Sequence, residues 1–392
     1  MLTSWAVRVL LDYRPALKQR SGVGEYTHQM ARALLAAYGP AGDGTLELTL
    51  FSSSWKDRLV RDPELAGADV ADKRVPVSVL NLAWHRLELP TAERLTGRLF
   101  DVTHSMHPLL LPSRSAAQVI TIHDLNFLAH PERTRAEIRR DYPALARAHA
   151  HRAAHVVVPS KFTAGQVVRQ LGVEECRISV CYPGAPDWEP RDGLRPDGYV
   201  LFFGTLEPRK NVGCLLDAYE RLAARRPRGR ATATSGSPLP PLVLAGQATE
   251  ESREWLDRIA KPPLAGLVRH QGYVDPSSRR QLYEGARLLV QPSFEEGFGL
   301  PVLEAMTLGV PVVAASRGAL PEVLGDAGLL VDPEQPDELA NGIERLLDDE
   351  ILAGVCASRG PMRARHFRWE ETARRVYGAY QLALDHHRCV SA

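Results

Sequence analysis

The chain has 392 residues, 44% hydrophobic and 24% charged, an ordinary globular composition. Its 48 basic and 47 acidic residues leave a net charge of +1, which argues against a protein that coats a polyanion, an affinity driven by positive charge. A single core rarely grows to this length, so two domains are expected.

In chain order, the first apolar run is "WAVRVLLD", followed by "SGVGEYTHQMARALL", which sets Gly22 and Gly24 ahead of a helix. Thr27 stands where a dinucleotide fingerprint needs its third glycine, which excludes the oxidoreductase motif. Further strands are predicted at "LELTLFSS", "VPVSVL", "DVTHS", "QVITIHD", "HVVVPS" and "RISVCYP". Near-continuous apolar strands separated by helices imply a parallel sheet covered on both faces. His123-Asp124 ends one such strand, where a histidine faces a ligand crevice; the alternative is a structural histidine oriented by Asp124. His104 reads as structural. Nine of the 13 histidines lie in this half, so it would gain positive charge at mildly acidic pH. Arginines crowd residues 131–155, but Glu132, Glu137 and Asp141 are interspersed, which reads as a solvated face and leaves contact with a membrane surface open.

"YPGAPDWEPRDGLRPDG" reads as the linker between domains 1–190 and 191–369. Beyond it, "YVLFFGTL", "PLVLAG", "LVRHQGYV", "RLLVQPS", "VPVVAAS" and "GLLVDP" predict a second parallel sheet. The fold class is therefore α/β: two doubly wound Rossmann-like domains facing across a cleft, with ligands at the carboxyl ends of the strands. The stretch 225–241, "RRPRGRATATSGSPLPP", cannot build a core and reads as a surface insert without chemistry. The closing helix, residues 370–392, is expected to pack back on the first domain.

The second half carries the densest chemistry. "GTLEPRKN" follows its first strand, and adjacent Arg209 and Lys210 before a helix can neutralise a diphosphate without metal. In "PSFEEGFGLPVLEAM", Gly297 and Gly299 let the backbone approach a ligand, and the helix opened by Pro301 turns amides and positive charge toward it. Glu296 and Glu304 flank that anion site. Carboxylates repel phosphate but accept hydrogen bonds from vicinal hydroxyls, so a sugar on each side of a diphosphate, a nucleotide sugar, fits both. Alternatively, Glu304 in the first turn complements the helix dipole and Glu296 is a surface charge. Asp275 caps the helix after Tyr273-Val274. No metal constellation stands out, and five scattered cysteines read as thiols of a cytoplasmic chain. No secretory signal or membrane-length apolar run is seen.

The spacing of Glu296 and Glu304 within that stretch resembles the signature of retaining glycosyltransferases of family 4, which have the GT-B fold. The resemblance runs from "GVGEYT" to "FRWEETARRVYGAY" and is strongest over residues 199–332. It implies that Glu296 meets the transferred sugar, Glu304 the ribose, and the amides around Gly297, Phe298, Gly299 and Leu300 the sugar and diphosphate. It makes His123 catalytic beside Glu296, Arg209 and Lys210. Gly22, Gly24, Gly204, Thr205, Tyr273 and Val274 would line the donor. Some members have a basic residue where Thr205 stands. "HDLNFLAHPE" and "GTLEPRKN" look most like mannosyltransferases of surface-polysaccharide assembly, which implies GDP-mannose as donor and a glycan or lipid-linked acceptor, with a UDP-sugar still open. No cofactor, metal or nucleic acid is implied. The rival readings are a sugar-nucleotide 2-epimerase of the same fold and a non-catalytic nucleotide-sugar-binding subunit.

Overall fold

The computed structural model describes residues 6–17, 20, 22–60, 62–129, 136–226 and 238–391. Glu132 and most of the 225–241 insert lie outside the described residues. The chain divides into two compact units, residues 1–184 with 368–392, and residues 185–367.

The first unit holds a seven-stranded parallel sheet: β1 (Val7–Asp12), β2 (Leu46–Ser53), β3 (Asp69–Lys73), β4 (Val102–Ser105), β5 (Ala117–Thr121), β6 (His155–Val158) and β7 (Ile178–Val180), in the order β3-β2-β1-β4-β5-β6-β7. The second holds six parallel strands: β8 (Tyr199–Phe203), β9 (Leu242–Ala245), β10 (Val268–Gly272), β11 (Ala286–Gln291), β12 (Val312–Ala315) and β13 (Leu329–Val331), in the order β10-β9-β8-β11-β12-β13. In each sheet the order of strand addition reverses once, between β1 and β4 and between β8 and β11. Those switch points open crevices at the carboxyl ends of the strands.

Helices on both faces explain the unbroken apolar strands. Val200, Leu201 and Phe202 of β8, and Leu288, Leu289 and Val290 of β11, are all fully buried. The helix Val212–Arg225 covers one face with Val212, Leu215, Leu216, Tyr219 and Leu222, at the three- and four-residue spacing of an amphipathic helix.

Two expectations are corrected. "VPVSVL" is not a strand: Pro76 starts the helix Val77–Leu87, which buries Leu80 and Trp84, one turn apart. Short apolar runs carry too little periodicity to separate the two states. The third strand is instead the polar "DVADK", β3, which lies at the sheet edge and pairs only with β2, so it needs no apolar run. The unit boundary also falls earlier than 190/191. The Ala185 N–H donates to Phe367 O, and the Arg191 guanidinium donates to Glu284 O at 3.1 Å, which packs this linker segment onto the second unit.

The last helix, Trp369–Ser391, packs on the first unit through Ala373, Val376, Ala379, Tyr380 and Ala383. Tyr380 OH lies 2.8 Å from His104 Nδ1, whose Nε2 meets Thr121 Oγ1 at 2.8 Å. His104 is thus structural. No helix among the described residues is long and apolar enough to cross a membrane.

Candidate active site

β8 ends at Phe203; Gly204 follows, and a single 3-10 turn, Pro208–Lys210, comes before the helix Val212–Arg225. Asn211 takes the left-handed conformation at φ 57°, and its buried side chain donates to Pro292 O (3.1 Å) and Pro333 O (2.7 Å). That residue ties the basic turn to the strand-end loop after β11. The Lys210 stem passes Gly204, where an added Cβ would sit 3.7 Å from Lys210 Cε.

The turn delivers Lys210 to Glu296. Lys210 Nζ lies 2.6 Å from Glu296 Oε1, and both side chains are buried. The same oxygen accepts from Gln291 Nε2 and Ser293 Oγ, each at 2.9 Å. Arg209 Nη1 approaches Oε2 at 3.5 Å, while its Nε meets Glu207 Oε1 at 2.7 Å. Burial alone would raise the pKa of Glu296, but the charges of Lys210 and Arg209 and the Lys210 and Ser293 hydrogen bonds outweigh it and bring it down to about 2. For Lys210, burial and then Arg209 push the pKa below its ordinary value, against the pull of Glu296. Glu296 is therefore not a loop surface charge. It is the centre of a buried polar cluster at the β8/β11 switch point.

Glu304 is also placed differently from the expectation. The helix begins at Leu300, capped by Gly299 at φ 109°, so Glu304 opens its second turn rather than lying in the first. Its side chain is buried, and Oε1 accepts from Arg279 Nη1 at 2.9 Å. A dipole role at the helix start does not account for that position. Arg279, from the helix Pro276–Glu284, also lies over the Phe203 ring at 5.7 Å. Phe298 packs its side chain edge-on against Phe367, 5.5 Å between centroids, so the ring belongs to the core. β10 stops at Gly272 with φ 76°, leaving Tyr273 and Val274 in the turn after the strand rather than in it; Asp275 caps the next helix through Ser277 N.

The sequence reading missed Arg279, Gln291, Ser293, Asn211 and Gly318. Gly318, at φ 64°, packs against the Glu296 backbone: a Cβ there would lie 2.8 Å from Glu296 N and 2.9 Å from its carbonyl oxygen. The available signal was the short "RGALPE" loop after β12.

The first unit carries the other expected residues. Gly22, at φ 40°, precedes the helix Val23–Tyr38. Gly24 lets that helix approach the preceding turn, since a Cβ would lie 2.6 Å from Pro15 O. Tyr26 of the same helix packs edge-on against His123, 5.2 Å between centroids. His123 Nε2 is buried without a hydrogen-bond partner among the described residues, and burial lowers its pKa to about 4. The ring is neutral at physiological pH and can serve a hydroxyl. The Asp124 carboxylate accepts from Asn126 N at 3.2 Å.

Among the described residues, His28, Asp62 and Glu64 converge as potential metal ligands. All three have protein partners: Tyr13 OH on His28 Nδ1 at 2.8 Å, Arg20 on Asp62 at 3.0 Å, and His28 Nε2 on Glu64 at 2.9 Å.

Two Rossmann-like units, with a cationic and acidic cluster at the second switch point, define a GT-B glycosyltransferase. Residues 20–187 match the model for Glycosyltransferase Family 4, and residues 197–349 match that for Glycosyl transferases group 1. The chain belongs to glycosyltransferase family 4. It is 33% identical over 284 residues to O-antigen chain mannosyltransferase B of Escherichia coli, covering 69% of this chain and 72% of that one. It is 30% identical over 234 residues to D-inositol 3-phosphate glycosyltransferase of Rhodococcus opacus (strain B4), covering 56% of this chain and 51% of that one. In structure it is similar to sucrose-phosphate synthase from Thermosynechococcus elongatus, with TM-score 0.73, 20% identity, and 96% and 98% of the two chains covered. It is also similar to Anabaena HepE in complex with UDP and glucose, with TM-score 0.67, 19% identity, and 95% and 98% covered.

Proposed function

We propose that the chain is a retaining, metal-independent hexosyltransferase that moves mannose from GDP-mannose to a glycan or lipid-linked acceptor in polysaccharide biosynthesis, working in the cytoplasm or at the inner face of the membrane. The observation that carries this reading is the cluster of buried Glu296 and Lys210 with partly buried Arg209 at the β8/β11 switch point, and Glu304, eight residues on from Glu296, held by Arg279. The mannosyl donor is supported by the likeness to the O-antigen chain mannosyltransferase.

As the bond from the anomeric carbon to the diphosphate breaks, negative charge grows on the leaving group. Lys210 and Arg209 supply the countercharge, and the amides at the start of the Leu300–Thr307 helix add to it. When these cations turn to the phosphates, Glu296 is released to accept from a hydroxyl of the sugar. Glu304 accepts from the ribose diol. Neutral His123 hydrogen-bonds a hydroxyl at the reacting centre. The acceptor attacks from the face the diphosphate leaves, and the diphosphate takes its proton.

A thermal-shift panel of GDP-, UDP-, ADP- and dTDP-sugars tests the donor, with the largest stabilisation expected for GDP-mannose. NMR of the product anomer tests retention. Turnover of the donor to an epimer without any acceptor would overturn the reading.

A further inference from the structure

The first unit has its own switch point, between β1 and β4, and a second buried ion pair stands there. Asp12, fully buried at the end of β1, takes Arg14 Nε at 2.8 Å and Nη2 at 2.7 Å in a two-pronged contact. Burial by itself would raise the Asp12 pKa; Arg14, with help from His107, instead holds it well below the usual carboxylate range. The Arg14 guanidinium lies 4.8 Å over the Trp84 ring and donates through Nη1 to Asn81 Oδ1 at 2.9 Å. Such a pair seldom recovers its desolvation as stability, so a guanidinium fixed on three sides calls for another use.

We propose that Arg14, Asn81 and His85 form an acceptor subsite that takes an uncharged glycosyl residue through its vicinal hydroxyls. Asn81 and His85 are one turn apart on the helix Val77–Leu87 and share a face. A guanidinium has five N–H groups; Asp12 and Asn81 take three, a fourth on Nη2 faces His107 Nε2 at 3.3 Å, and one on Nη1 remains. Asn81 accepts through its oxygen and keeps its amide donors. His85 is pushed toward the neutral form by burial and by the nearby His107 and Arg14, so it offers one donor and one acceptor. Hydroxyls, which both donate and accept, match this set. A phosphate monoester does not: Asp12 already neutralises Arg14, and its carboxylate repels a second anion. The subsite also adjoins the reacting end of the unit. His107, whose Nε2 lies 3.3 Å from Arg14 Nη2, follows β4, and His123 follows the neighbouring β5.

This inference rests on the glycosyl-transfer reading and narrows its acceptor. Saturation-transfer NMR on the full chain with bound GDP, or UDP, tests it using methyl α-mannoside and D-inositol 3-phosphate. Transfer to the ring protons of the neutral glycoside is expected, and none to the phosphorylated cyclitol. Asn81→Leu and His85→Phe should each weaken the glycoside signal by about fivefold, the scale of a lost hydrogen bond. Should Asn81→Leu fail to fold, His85→Phe carries the test, with its melting temperature as the control. No transfer to methyl α-mannoside, an undiminished signal in the folded variants, or preference for the inositol phosphate would overturn the subsite. Failure to bind any nucleoside diphosphate would instead count against the parent reading.

Discussion

Lys210 and Glu296 form a buried ion pair, 2.6 Å from Nζ to Oε1, between a turn after β8 and a loop after β11. Removing one partner strands the other. Lys210→Met should cost about 3–5 kcal/mol of stability and raise the Glu296 pKa, because an unpaired buried carboxylate favours its protonated form. Denaturant unfolding measures the first, and a pH-rate profile the second. Glu296→Gln keeps the volume and should cost less stability while lowering kcat by roughly a hundred- to a thousandfold.

Arg279 bonds the carboxylate of Glu304. Glu304→Ala should chiefly weaken nucleoside diphosphate binding, by about tenfold or more, with a smaller effect on kcat. Arg279→Met should do the same through loss of Glu304's anchor. Initial-rate kinetics that separate KM from kcat check both.

Much of the fold was legible because parallel strands buried on both faces must read as apolar runs, as in "YVLFF" and "RLLVQ". β3 was not, since an edge strand partnered on one side tolerates Asp69, Asp72 and Lys73. At the site, glycines, acids and basic pairs close in sequence were readable from local chemistry. Arg279 and Gly318 were not: each meets its glutamate across a fold-dependent distance, through one bond in the first case and a backbone contact in the second. The histidines also misled. Burial lowers the pKa of His104 to about 3 and those of His123, His149 and His155 to about 4, so the folded first unit does not gain these charges at mildly acidic pH.

That correction sets a pH dependence. Folded pKa values below the unfolded value of about 6.5 mean that the unfolded chain binds more protons between about pH 6.5 and 4. The stability is fully present above pH 6.5 and falls as the pH drops toward 4. Urea unfolding followed at pH 7.5 and 4.5 should show a lower midpoint in acid. His155→Phe should flatten the dependence.

Gly318 presses on the Glu296 backbone at a positive φ. Gly318→Ala should displace the Glu296 loop and reduce kcat by at least about tenfold, since small misplacements in a catalytic site carry large rate losses. Unfolding midpoint and kcat measured together separate this from general destabilisation.

Titration calorimetry of GDP, and of UDP, into the wild type and an Arg209→Ala/Lys210→Ala double variant tests most directly whether this cluster is the donor site. Saturable binding in the wild type, weakened by at least about a hundredfold in a folded double variant, is expected when two charge-assisted contacts to phosphate are removed. Equal affinity in both proteins would place the diphosphate elsewhere and contradict the site.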